Sequence, residues 1–336
     1  LAKKISNPNF ISGLLKYLDK FIEHDLQRDE KTWEEVGKIW MNGKLVPFKN
    51  AKVHVLTHAL HYSTAVFEGI RCYNTPKGSA IFRLPEHVDR FFNSAKLYGM
   101  KIRYTKKQII DAIIKTVKAS GLKECYIRPI AYYGYGSMGL TPTLNKVDVS
   151  IACWEWKMGE SKAGKFSGSK CKISKWIRID SKSQPMQSKS AANYSNASLA
   201  RVEALKSGYD EAIMLNSSGK VAEGSAENIF IIKNGIIKTP PLNADILNGI
   251  TRDSIIRLIK SNGIKLIEKN ITVKELLKAD EVFMTGTAAE VKSVAKINKT
   301  TIGNGKIGSI TKTLQKSFMD VTMGKEQKFA SWLRYI

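Results

Sequence analysis

What this chain lacks narrows it before any motif is read. Its four cysteines, Cys72, Cys125, Cys153 and Cys171, lie far apart and form no CxxC pair, which argues against a zinc site and against a disulfide scaffold. No apolar run approaches the length of a membrane span, and no internal repeat is visible. Acid is scarce: 54 Lys and Arg stand against 30 Asp and Glu, a formal net charge of +24. Such an excess invites a nucleic-acid partner, the non-enzyme alternative. A basic stripe with interleaved aromatics is missing, however. The lysines are scattered, many at helix positions such as TKKQIIDAIIKTVKAS. Diffuse positive charge of this kind attracts anionic small molecules and phosphates instead. The opening stretch has no signal-peptide core and carries Asp19, Glu23, Asp25, Asp29 and Glu30, unlike an acid-poor transit peptide. The expectation is a cytoplasmic protein in reducing surroundings.

The 336 residues suffice for two domains, each with its own core. Phe10, Ile11, Leu14, Leu15 and Leu18 form a helical stripe within residues 10–27, so 1–38 is expected to be a helical extension. KIWMNGKLVPF reads as strand, Asn-Gly turn and strand. Thr105 and Gln108 have capping-box spacing ahead of a helix that Gly121 closes. ECYIRPIAYYGYG and DVSIACWEW read as strands. The polar run KMGESKAGKFSGSK breaks the pattern, giving a small domain over 39–159, a linker at 160–166 and a large domain over 167–336. Downstream, DEAIMLNSSGKVAEGSAENIFIIKNGIIKTPP reads as a meander of strands, and NGITRDSIIRLIKSNG as a helix. TAAEVKSVAKI and SITKTLQKSFMDV read as helical or mixed segments. Irregular alternation of this kind predicts a mixed α/β or α+β fold rather than a doubly wound sheet.

Two motifs fail on inspection. GYGSMG, Gly134 to Gly139, matches the dinucleotide spacing GxGxxG. That fingerprint needs its third glycine to open a helix, whereas LTPTLNK follows, so a mobile substrate-covering loop is the better reading. His54, His58 and His61 have the spacing of one helix face, yet KVHVLT alternates like a strand; packed or hydrogen-bonded histidines are expected rather than metal ligands.

In SQPMQSKSAANYSNASLA, residues 183–200, Lys189 sits alone among small and polar residues with no acid beside it. Uncharged surroundings disfavour an ammonium and lower its pKa. A lysine that is neutral part of the time is a nucleophile able to form a Schiff base.

HYSTAVFEGIRCY, LPEHVDRF, YIRP, KSAANY, AEGSAENIF, NGITRDSI and FMTGTAAE occur in that order. Together they resemble the branched-chain-amino-acid aminotransferases of the class IV pyridoxal-phosphate family, over residue 39 to the C-terminus. The resemblance implies fold type IV, a smaller N-terminal α/β domain with a larger C-terminal pseudo-barrel domain, and at least a homodimer. D-amino acid aminotransferases and aminodeoxychorismate lyases share that scaffold; FEGIRCY with YIRP favours the branched-chain reading.

On this resemblance Lys189 carries pyridoxal phosphate and moves protons. Tyr194 meets the cofactor's phenolic oxygen, and Glu223 pairs with its pyridine nitrogen. Arg90, the backbone N–H groups of Ile250 and Thr251, and Thr287 hold its phosphate. Tyr126 with the backbone at Ala288 and Ala289 holds the substrate's α-carboxylate. Phe67, Tyr62 and Trp156 line an apolar pocket, and Arg128 receives the second carboxylate of glutamate. Met138 and Leu140, on the 134–140 loop of the adjoining subunit, close the site. Read without the family, Tyr194 is equally a core tyrosine and Glu223 an exposed strand glutamate.

Overall fold

A computed structural model describes residues 37–156 and 168–336. The helical stripe read at 10–27 and the linker read at 160–166 lie outside the described residues. The fold is mixed α/β and is built on two sheets.

The first sheet is antiparallel throughout. It comprises β1 (Lys38–Met41), β2 (Lys44–Pro47), β3 (Ala65–Phe67), β4 (Ile70–Thr75), β5 (Gly78–Phe82), β6 (Cys125–Tyr133) and β7 (Val147–Glu155). Asn42 and Gly43 both take left-handed conformations, φ 48° and 98°, as the tight β1–β2 hairpin requires. A short helix α1 (His58–Tyr62) precedes β3. KVHVLT therefore does not form the strand its alternation suggests. Two longer helices, α2 (Leu84–Leu97) and α3 (Lys106–Ser120), cover one face of the sheet. The Thr105 hydroxyl accepts from Gln108 N–H at 3.2 Å and the Gln108 side chain accepts in return, closing the expected capping box. Ile109, Ile113 and Val117 of α3 and Val88 and Phe91 of α2 pack on Ile70, Ile127 and Ile151.

The second sheet mixes directions. It contains β8 (Ser169–Ile173), β9 (Glu211–Leu215), β10 (Val221–Gly224), β11 (Asn228–Lys233), β12 (Ile236–Thr239), β13 (Leu266–Glu268), β14 (Glu281–Gly286), β15 (Glu290–Ile297) and β16 (Thr300–Thr301). β8 runs parallel to β9 and β15, and β12 parallel to β13. The helix α4 (Ala191–Lys206) follows Lys189 directly and buries Ala197, Ala200 and Ala204 against β9. These small residues let the helix lie close to the sheet. The expected NGITRDSI helix is α5 (Ile250–Ser261); α6 (Val273–Leu277) and α7 (Ser309–Thr322) follow. A last strand, β17 (Leu333–Tyr335), returns to the first sheet beside β5. One cluster joins the halves: Phe82 and Trp332 pack with Phe230, Phe283 and Phe318.

TAAEVKSVAKI is a correction. It forms the end of the β14–β15 turn and the strand β15, not a helix. Its apolar residues recur every third position because both faces of β15 are covered. Val291 joins the α5 and α7 side, while Val294 and Ile297 join the opposite core, with a register shift between Val294 and Lys296. Among the described residues no helix is long and apolar enough to cross a membrane.

Candidate active site

Lys189 is gripped through its backbone by the first sheet and its helix. Its N–H donates to Ser94 Oγ of α2 at 2.9 Å, and its carbonyl accepts from Phe67 N–H of β3 at 3.0 Å. The side chain then extends over the rings of Phe67 and Tyr194, with Nζ 4.9 and 4.7 Å from their centroids. Nζ also donates to the Tyr194 hydroxyl, one helical turn further along on α4. Among the described residues no carboxylate pairs with the amine. Burial first, and the neighbouring Arg90 cation second, bring its pKa down to about 8. At pH 7 about a tenth of such amines are neutral, far more than for an exposed lysine. Burial first, then the charge on Glu223, push the Tyr194 phenol up to about 12. Tyr194 therefore keeps its proton at neutral pH.

Glu223 is buried on β10 rather than exposed. One oxygen pairs with Arg178 Nη2 at 2.8 Å; the other accepts from Asn228 Nδ2 at 3.0 Å and from Leu247 N–H at 3.1 Å. Burial raises its pKa and Arg178 opposes the rise. Neither Arg178 nor Asn228 is singled out by the sequence. Arg178 stands in the plain stretch KWIRID, and Asn228 is one residue of a quoted motif with no role assigned.

Glu68 is a further residue that sequence reading missed, although it stands in FEGI. Its carboxylate is fully buried and takes Arg90 in two-pronged fashion, Nε to Oε1 at 2.6 Å and Nη2 to Oε2 at 2.9 Å. His87 Nδ1 reaches the same Oε2 at 2.7 Å. Desolvation would raise the Glu68 pKa, but Arg90 and then His87 hold it far below the usual carboxylate range. Burial lowers the His87 pKa and the Glu68 charge opposes the fall. Fork-to-fork pairing fixes the Arg90 guanidinium in direction as well as place. Its Nη1 donates to Asn248 O at 2.9 Å, just ahead of α5.

Arg90, Lys189, Tyr194, Glu223, Ile250, Thr251 and Thr287 all line one cavity, together with Arg178, Asn228 and Thr285. α5 starts at Ile250, so the first-turn N–H groups, which a helix cannot satisfy internally, face this space. The Thr285 hydroxyl is buried there with no partner among the described residues, the mark of a wall shaped for a polar ligand.

The residues expected to hold substrate fall into two groups. Arg128 stacks over Phe67, Tyr126 and Trp154 at 4.8, 5.4 and 5.6 Å, and its Nε is buried without a partner among the described residues. Trp156 lies against Tyr126 with ring centroids 5.6 Å apart. The Tyr126 hydroxyl sits where a Cβ at residue 69 would be, so a side chain there would displace the tyrosine. Ala288 and Ala289 form the turn after β14. None of these residues is among those lining the cavity itself, though Phe67 lies against Lys189 and Ala288 follows the lining residue Thr287; Tyr62, Met138 and Leu140 gather elsewhere. The Tyr62 hydroxyl donates to Met138 O at 3.0 Å, His58 Nε2 meets Gly139 O at 3.0 Å, and Leu140 is 77% exposed. His54 and His61 are engaged too: the His54 ring lies tilted against Tyr135, and His61 Nε2 meets Val55 O at 2.9 Å.

The family model described as amino-transferase class IV matches residues 65–297. The branched-chain-amino-acid aminotransferase of Pseudomonas aeruginosa is 45% identical over 296 residues, 88% of this chain and 96% of its own. That of Escherichia coli K12 is 38% identical over 303 residues, 90% and 98% of the two chains. Among solved structures, the T.th. branched-chain amino acid aminotransferase complexed with N-(5'-phosphopyridoxyl)-L-glutamate superposes with a TM-score of 0.85 at 43% identity, covering 89% of this chain and 98% of its own. The same enzyme complexed with 4-methylvaleric acid gives a TM-score of 0.86 with the same identity and coverage.

Proposed function

We propose, for a chain that belongs to the amino-transferase class IV family, that it is a pyridoxal-phosphate-dependent branched-chain aminotransferase. It would move the amino group of L-leucine, L-isoleucine or L-valine to 2-oxoglutarate, giving the branched 2-oxo acid and L-glutamate. The observation that carries this reading is the Lys189 amine, held short of full protonation in a cavity with a buried carboxylate and a fixed guanidinium. The relative solved with a phosphopyridoxyl-glutamate and with a branched apolar acid supports it.

The residues suit the cofactor. An amine of lowered pKa, a protonated phenol, a buried carboxylate and a guanidinium with a helix start beside it match an aldehyde, a phenolic oxygen, a ring nitrogen and a phosphate in turn, and the unpartnered Thr285 hydroxyl adds a further polar wall. When bound, pyridoxal phosphate supplies an electron-accepting ring for the pair left at Cα. Lys189 would hold it, and once released take the proton from Cα. Glu223, braced by Arg178 and Asn228, keeps a proton on the ring nitrogen. Tyr194 hydrogen-bonds the phenolic oxygen. Arg90, aimed by Glu68, joins the Ile250 and Thr251 amides and the Thr287 hydroxyl at the phosphate. Tyr126 and the amides of Ala288 and Ala289 take the α-carboxylate. Phe67 and Trp156 enclose the side chain, and Arg128 meets the distal carboxylate of glutamate. An apolar wall separates substrates differing by one methylene only weakly, so all three branched donors serve.

This reading includes a homodimer. The face around α1 and the 134–140 loop exposes Val55, Leu60, Tyr135, Leu140 and Leu144, an apolar surface suited to a second copy. Tyr62, Met138 and Leu140, which lie together on this face, then belong to the neighbouring subunit's substrate pocket. We further propose a small domain ending at residue 159, a large domain from 167, and a cytoplasmic location, in keeping with four free, buried thiols.

The purified protein, given 2-oxoglutarate, is expected to use L-leucine at least about 100-fold more efficiently than D-alanine, since a site that hydrogen-bonds one stereoisomer's carboxylate leaves those groups unpaired with the other. A preference for D-alanine would reassign the chain to the D-amino acid branch of the fold.

A further inference from the structure

The proposed carboxylate site is split between the two sheets: Tyr126 lies on β6 of the first, and the Thr287–Ala289 turn lies between β14 and β15 of the second. Something must hold those halves in register, because a carboxylate bound by two walls feels a shift of either. The residue at the seam is Glu290. It ends the turn, is the strand partner of Gly286, and has a left-handed backbone with φ 55°. Glycine or asparagine is the ordinary occupant of that conformation. A glutamate there bears a backbone penalty that its side chain must offset.

That side chain crosses to the other sheet. Its carboxylate oxygen Oε1, without a hydrogen-bond partner among the described residues, lies 3.8 Å from Arg71 Nη1 of β4, and the carboxylate interacts with Tyr73 of the same strand. At that distance the Arg71 contact is ionic attraction rather than a hydrogen bond. Burial raises the pKa of both Tyr73 and Glu290, and Arg71 counters it in each. Arg71 itself is 2% exposed, with its guanidinium 4.8 Å from the Tyr73 ring centre. It donates to Trp156 O at 3.3 Å and lies 3.5 Å from Glu124. On the other side, Arg71 is the direct strand partner of Tyr126. The chain Tyr126–Arg71–Glu290–turn is therefore continuous, buried at Tyr126 and Arg71, half-buried at Glu290 and the turn, and charged at its centre. Burying the arginine of such a pair is a costly way to gain mere stability, but it fixes one geometry.

We propose that Glu290, clasped by Arg71 and Tyr73, is a positioning residue that sets the Thr287–Ala289 turn against Tyr126 and so shapes the site for the substrate's α-carboxylate. This rests on the aminotransferase reading, which assigns the carboxylate to those groups. Glu290 touches neither substrate nor cofactor, so its loss acts on carboxylate recognition first.

The test compares wild type, Glu290→Gln and Tyr73→Phe as cofactor-loaded proteins. Two probes are 4-methylvaleric acid, which carries the branched chain and a carboxylate, and 4-methylpentan-1-ol, which lacks the carboxylate. Glu290→Gln is expected to raise the inhibition constant of the acid and the KM for L-leucine about 10-fold, the scale of one displaced contact, with kcat within about threefold. Inhibition by the alcohol and the visible cofactor band stay unchanged. Tyr73→Phe, which keeps the ring under Arg71, shifts the same constants in the same direction by less. If wild type does not transaminate leucine, the functional reading itself fails. If wild type is active and both variants keep wild-type constants for the acid and for leucine, the positioning role is wrong. Acid and alcohol weakening equally, or kcat falling with KM unchanged, also overturns it.

Discussion

Replacing Lys189 by alanine is expected to abolish transamination, with activity falling at least about 1,000-fold, and to remove the visible absorption of bound cofactor. The size of the effect follows from two tasks resting on one atom. Among the described residues Nζ is the only amine lining the cavity, and it must serve both as the covalent attachment point and as the base that takes the Cα proton; general-base loss alone costs about 10²–10⁴-fold. The fold should survive the change. The amine sits against two aromatic rings beside the Arg90 cation, and the folded protein holds its charge less well than water does. The backbone bonds to Ser94 and Phe67 do not involve the side chain. Absorbance, activity and melting temperature on the same preparation separate the outcomes. Activity near wild type would refute the assignment.

The second large effect is expected at Glu223, and it is twofold. Glu223→Ala leaves Arg178, with 5% of its side chain exposed, without its counter-charge, and orphaning one partner of a buried ion pair costs about 3–5 kcal/mol. It also takes away the group that keeps the ring nitrogen protonated. Glu223→Gln separates the two. Glutamine keeps the volume and can still accept from Asn228 and Leu247, but carries no charge for Arg178 or the ring. Its kcat is expected to fall at least about 100-fold, in the range of lost electrostatic stabilisation. Its melting temperature should fall less than that of Glu223→Ala. A glutamine variant with kcat within tenfold of wild type would show that the cofactor's ring nitrogen does not depend on this residue.

The site was legible wherever chemistry follows the local chain. Lys189 stands out because its neighbours are small and uncharged, and Tyr194 follows it in the first turn of α4. The α5 start was readable from its glycine, threonine and apolar spacing. The residues that make these groups work were not readable in the same way. Arg178 reaches Glu223 from another segment, and Glu68 grips Arg90 across 22 positions; a salt bridge between distant segments leaves no local pattern. Glu290 hides for a different reason, since nothing in TGTAAE announces a left-handed glutamate. The same stretch misled on secondary structure. Val291, Val294 and Ile297 repeat at helical spacing, but they serve two cores on opposite faces of β15. The cysteines illustrate the converse. Cys72 and Cys125 are far apart in sequence, yet they are direct strand partners within the first sheet.

Tyr62 and Phe67, five residues apart, show the limit of carrying a site over one residue at a time. Phe67 lies against Lys189, whereas Tyr62 points to the 134–140 loop. In the proposed dimer Tyr62 would serve the neighbouring copy's site, and a single sequence does not say which copy supplies which wall.

The proposed chemistry depends on one amine that is neutral often enough to bond an aldehyde. The measurement that reaches it most directly is borohydride reduction of the cofactor-loaded wild-type protein, followed by proteolysis and peptide mass mapping. The mass of a reduced phosphopyridoxyl group is expected on the peptide containing Lys189 and on no other. Its appearance on a different side chain, or a protein that takes up no label, would contradict the account.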